Sequence, residues 1–107
     1  MTRIHLWKKD GLYLGLQANG HTGFAEEGRD IVCAAVSVLC QTMIVGLDEV
    51  AGVSPDYRIE DGELFCRVGE DNAKRRDVQA ILRTIVKGLQ AVYEQYPDFM
   101  ELLEMEV

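Results

Sequence analysis

The 107-residue chain has no uninterrupted apolar run near the ~18 residues needed to cross a bilayer, so no membrane partner is expected. Its start, Met1-Thr2-Arg3-Ile4-His5, turns polar within a few residues and offers no secretory apolar region. The three cysteines, Cys33, Cys40 and Cys66, are odd in number and not closely spaced. That excludes a disulfide framework and points to a reducing, cytoplasmic compartment. No two cysteines have C-x-x-C spacing and no histidine pair is at i, i+4, so neither a metal nor another cofactor is expected. Positive charge is scarce too: 11 Lys and Arg against 18 Asp and Glu give a net charge of −7. Without a basic face to neutralise phosphates, direct nucleic-acid binding is not expected. Linkers, low-complexity tracts and residue-level repeats are also missing.

What is present is ordinary globular composition, 48 % hydrophobic and 27 % charged. A chain this long is one domain's worth, residues 1–107, and buries roughly 60–70 % of its unfolded surface. The charge is unevenly placed. Glu94, Asp98, Glu101, Glu104 and Glu106 lie in the last stretch, which has no Lys or Arg. A solvated acidic end explains this as well as an electrostatic draw on a basic partner does.

Residues Arg3 to Lys8 alternate, Asp10-Gly11 signals a type I′ turn, and Leu12 to Ala18 read as a return strand. A loop from Asn19 to Arg29 follows, carrying Gly20, Gly23 and Gly28. Asp30 is a good N-cap for a helix running to about Val50, ended by Gly52 and Pro55. Val32, Ala35, Val36, Leu39, Met43, Gly46, Leu47 and Val50 form its apolar stripe. Ile31, Ala34, Val38, Ile44 and Val45 are apolar off that stripe, which predicts cover on more than one side. Tyr57 to Glu60 and Glu63 to Val68 form a second hairpin about Asp61-Gly62, by the same turn logic. A second helix is expected from Ala73 to Tyr96, capped by Asn72 and stopped by Pro97, and a last strand lies within Phe99 to Val107. The order ββαββαβ predicts an α+β, two-layer fold, a mostly antiparallel sheet with two helices on one face.

The segment from Gly20 to Ser37 carries the candidate chemistry. With Asp30 as N-cap, Cys33 falls at the third helical position, where free N–H groups and the helix dipole favour a thiolate. His21 precedes it on a glycine-rich loop that can fold back, and an imidazole facing a thiol activates a nucleophile. The same N–H groups suit a tetrahedral oxyanion. Asp30 opposes a thiolate one turn away, or orients His21 as a third member. Ser37, four residues on, shares the face of Cys33 and either bonds the sulfur or its own helix carbonyl. A buried free cysteine is equally a small core hydrophobe, and Cys40 and Cys66 are read as such. A phosphate loop is excluded because no G-K-[ST] follows the glycines and Glu26, Glu27 and Asp30 repel an anion.

The run Gly20, His21, Gly23, Phe24, Ala25, Gly28, then Asp30 to Ser37, resembles the ribosomal-processing cysteine protease family of bacteria. Thr22 stands where alanine is commoner, and the likeness extends along the chain to Gly88-Leu89 and Tyr93-Glu94-Gln95-Tyr96-Pro97. The resemblance implies a homodimeric endopeptidase that removes a short N-terminal extension from a large-subunit ribosomal protein, number twenty-seven in the usual series. It implies a cut after an aromatic residue, leaving a new end that is small and then basic. By the same resemblance Cys33 is the nucleophile and His21 the base. Asp30 and Ser37 are supporting positions, and Gly20, Gly23 and Gly28 belong to a mobile substrate-gating loop. The competing reading is a non-catalytic ribosome-associated interaction module in which Cys33 merely packs. A redox-sensing thiol is a weaker third, because no resolving cysteine lies near Cys33 in sequence.

Overall fold

The structure is a computed structural model that describes residues 1–20 and 27–107, and of residues 27–30 the backbone alone. Alternating residues build β1 (Thr2–Lys9) and β2 (Leu12–Asn19), joined by Asp10 and Gly11. Both turn residues have positive φ, 52° and 80°, as a type I′ turn requires. The second hairpin, β3 (Asp56–Glu60) and β4 (Glu63–Arg67), has positive φ only at Gly62, so its turn is not of that type. A last strand, β5 (Met100–Glu106), completes a five-stranded sheet of order β3-β4-β2-β1-β5.

Three of the four pairings are antiparallel; β5 runs parallel to β1, with Ile4 opposite Leu102. Ile4 and Leu6 of β1, Leu16 and Ala18 of β2, and Leu64 and Cys66 of β4 share one face and are all buried. Two long helices, α1 (Glu27–Val45) and α3 (Arg76–Gln95), cover that face. The result is the expected two-layer α+β architecture. At the far edge every residue of β3 is exposed.

Helix α1 departs from expectation at both ends. It begins at Glu27, so Asp30 is not its N-cap and Gly28 is inside the helix rather than in a loop. A cap is worth only about 1 kcal/mol, which four further helical residues can offset. At the other end the helix widens into a π-helical turn, Gly46–Val50, marked by Ala51 N–H donating to Gly46 O at 3.0 Å. The segment Ile31–Val50 is long and apolar enough to span a membrane by length and composition alone. Its Val32, Val36, Cys40, Met43 and Leu47 face nevertheless lies in the core. Cover on a second side is not observed in this chain: Ile31, Val38 and Val45 are exposed, and of the off-stripe residues only Ile44 is buried.

The helix expected from Ala73 to Tyr96 is two. A short α2 (Glu70–Ala73), with Asn72 inside it, precedes α3. Ala73 O, which would accept from Asp77 N–H in a continuous helix, instead accepts from Gln79 Nε2 at 2.8 Å. Arg75 sits extended at the break, and its guanidinium donates to Ala51 O at 2.9 Å and to Asp77 at 2.7 Å. The Asp77 carboxylate, held below its usual range chiefly by that hydrogen bond, accepts from Val78 N–H at 2.9 Å. Polar side chains thus take over the ends that a single helix would have satisfied internally.

Candidate active site

The N-terminal half of α1 packs its buried face over the start of the sheet, and this places Cys33 beside the first residue of β1. Cys33 is 5 % exposed, and its Sγ lies 3.6 Å from Thr2 Oγ1, within hydrogen-bonding range for sulfur. Thr2 is itself 2 % exposed. Both residues line a cleft of about 230 Å³ between the β3–β4 hairpin and α1. Ser37, one turn beyond Cys33, lines it too, as do Asn19 at the end of β2 and Glu60, Asp61 and Glu63 at the hairpin tip.

The three cysteines part company here. Cys40 and Cys66 are fully buried core residues, as expected. Burial pushes both thiols up to about 12; Cys66 adds to the effect on Cys40, and Asp56 to that on Cys66. Such thiols stay protonated and inert at neutral pH. Both Cys33 and Cys40 line the cleft, but Cys33 alone has a hydrogen-bonding hydroxyl at its sulfur among the described residues.

The expectation that Cys33 lies at the third helical position is corrected. With α1 starting six residues earlier, its N–H is inside the helical hydrogen-bond ladder and past the first turn, where the dipole acts. Free helix N–H groups are therefore not what surrounds the sulfur. His21 and Gly23 lie outside the described residues, so the His21–Cys33 dyad is not among the observed contacts. Asp30 lies in the first turns of α1, three residues before Cys33. Gly20, expected as a hinge, is fixed by close approach: it has φ +87°, and a Cβ there would sit 2.2 Å from Met1 O.

Nothing in the sequence singles out Thr2, Asn19 or the hairpin carboxylates as neighbours of Cys33. Thr2 and Cys33 are 31 residues apart, and only the packing of α1 on the sheet joins them. The acidic C-terminal stretch is less available to a partner than its charge implies. Glu101 pairs with Arg3 at 2.9 Å, and Glu104 accepts from Tyr13 Oη at 2.7 Å.

A two-layer α+β domain with a cysteine at the wall of an open cleft has the parts that a thiol hydrolase needs to present a nucleophile. The family model described as cysteine protease Prp matches residues 1–101, and the chain belongs to that family. Relatives named ribosomal processing cysteine protease Prp are 26 % identical over 84 residues in Staphylococcus aureus and 27 % over 89 in Bacillus subtilis. These matches cover 78 % and 79 % of this chain, and 79 % and 80 % of the relatives. SMU.848 from Streptococcus mutans superposes with a TM-score of 0.90 at 25 % identity, covering 100 % of this chain and 96 % of its own. The essential ribosomal processing protease Prp of S. aureus, solved with a substrate peptide, gives 0.88 at 25 %, covering 98 % and 100 %. A second structure of that protease carries a covalently linked product peptide. The chain is thus an enzyme, a peptide hydrolase of the cysteine class, and the reading as a non-catalytic module is set aside.

Proposed function

We propose that this chain is an endopeptidase, one catalytic domain over residues 1–107, that removes the short N-terminal extension of large-subunit ribosomal protein twenty-seven. Cys33 is the nucleophile and His21 the base. The observation that carries this reading is the position of Cys33 at the wall of an open cleft, while Cys66 is sealed and both other thiols are pushed to about 12. The Cys33 thiolate attacks the carbonyl of the scissile bond, and the C–N bond breaks as imidazolium His21 protonates the leaving amine. Water, deprotonated by His21, then cleaves the thioester, freeing the extension as a carboxylic acid and regenerating the thiol.

Supporting roles fall to Asp30 and Ser37, the latter lining the same cleft. The segment with Gly23 gates the substrate, between Gly20 at the end of the sheet and Gly28 in the first turn of α1. Closure on the correct peptide would assemble the dyad only when substrate is bound, limiting stray proteolysis. Glu60, Asp61 and Glu63, of which Arg58 pairs with the first and last, leave the cleft wall net negative, which suits a substrate whose new N-terminal end is small and then basic. The enzyme acts in the cytoplasm, as a homodimer, without cofactor.

Incubation with the extended ribosomal protein tests this: wild type removes the extension and Cys33→Ala does not. Uncut protein with wild type, or cleavage by Cys33→Ala, overturns the assignment. Light scattering of the purified chain tests the dimer, and a monomer mass would refute it.

A further inference from the structure

The nucleophile, as read above, lacks the helix-start N–H groups that would stabilise its anion, because α1 begins well before it. The same cleft carries Glu60 and Glu63, each paired with Arg58 at 3.7 Å, Asp61, and Cys40, which stays a neutral thiol. We propose that Thr2 is a positioning residue for Cys33: its buried hydroxyl donates a hydrogen bond to the sulfur and holds it, as thiolate, at the cleft wall.

Three observations carry the proposal, which rests on Cys33 being the nucleophile. The Thr2 hydroxyl is almost fully buried, and its one side-chain hydrogen-bond partner among the described residues is Cys33 Sγ, at 3.6 Å. The residue cannot drift: its N–H donates to Phe99 O at 3.1 Å, and it lies in register with Met100 of β5, itself buried. Its β-branched side chain has few rotamers, so the hydroxyl is aimed before substrate arrives. A buried hydroxyl facing a neutral thiol has a poor partner; facing a thiolate it makes a charge-assisted bond. The hydroxyl therefore has its stronger partner in the thiolate, and acylation to a neutral thioester removes it.

The test is alkylation of Cys33 by iodoacetamide as a function of pH, in wild type, Thr2→Val and Thr2→Ser, with the labelled cysteine identified by mass spectrometry. Cys40 and Cys66, buried and pushed to about 12, stay silent at neutral pH. The isosteric valine should move the pH of half-maximal rate up by about one unit, as loss of a charge-assisted bond implies. A more basic thiolate is also more nucleophilic, with a Brønsted slope of about 0.4–0.5, so the high-pH plateau should rise roughly 3-fold, while the rate well below the pH of half-maximal rate should fall roughly 3-fold. Serine, which keeps the hydroxyl, should restore the wild-type profile. In peptide cleavage at neutral pH, Thr2→Val should lower kcat and leave KM unchanged. A wild-type profile for Thr2→Val, or failure of Thr2→Ser to restore it, overturns the proposal even if Cys33→Ala is inactive. Cleavage surviving in Cys33→Ala overturns the reading of Cys33 itself, and the positioning role with it.

Discussion

Gln79 and the backbone of Tyr13 hold each other in both directions. Tyr13 N–H donates to Gln79 Oε1 at 3.0 Å, and Gln79 Nε2 donates back to Tyr13 O at 2.8 Å. This clasp sits where the β1–β2 register shifts, between Trp7 and Lys8, and Gln79 also takes Ala73 O at the end of α2. One side chain, 9 % exposed, thus joins strand, short helix and long helix. Gln79→Leu keeps the volume and strands three backbone groups, so unfolding stability should drop by about 3 kcal/mol. Urea denaturation reads this as a lower midpoint at unchanged slope. A midpoint equal to wild type would show the clasp to be dispensable.

Two glycines should respond oppositely to alanine. A Cβ at Gly15 would lie 2.0 Å from Cys66 O and 2.8 Å from Arg67 Cα, both backbone, so β2 and β4 must separate. Gly15→Ala should cost about 3 kcal/mol or more, with loss of soluble protein a consistent outcome. At Gly88 the nearest atoms are Leu39 Cδ2 at 2.9 Å and Cδ1 at 3.3 Å, the end of a half-buried, rotatable side chain. The helix gains about 1 kcal/mol from alanine over glycine, so Gly88→Ala should remain within about 1 kcal/mol of wild type. Thermal melts of the pair decide it.

The Tyr13 phenol is raised to about 12, first by burial, then by its hydrogen bond to Glu104 and the charge of that carboxylate. The unfolded phenol titrates near 10. Because the folded value is the higher, this stabilisation is fully present below pH 10 and is lost as pH climbs through about 12. Glu104→Ala removes the hydrogen bond and the charge, two of the three causes that raise it, so Tyr13 should ionise at lower pH. Phenolate absorbance on alkaline titration checks this; an unmoved titration would leave burial as the sole cause.

Much of this protein is written locally. The period-two alternation of β1 and β2, the Asp10-Gly11 turn, the apolar stripe of α1 and the stop at Pro97 are short-range features, so the sequence specifies the α+β order of elements. The burial of Cys40 and Cys66 follows from the same patterns. Family membership is legible in the run from Gly20 to Ser37, since a motif is a property of the chain and not of its packing.

The tertiary structure alone decided the rest. Helix ends depend on which distant groups accept or donate: Gln79 and Arg75, reaching Tyr13 and Ala51, split one expected helix into two. The parallel setting of β5 is a choice of sheet edge that no local pattern encodes. It also fixes Thr2 beside Phe99 and Met100, and so beneath Cys33. Sequence marks Cys33 as the candidate nucleophile because its neighbours in the chain form a recognisable motif. The partner of its sulfur is visible only after folding, because a hydrogen bond between residues 31 apart exists only when strand and helix meet.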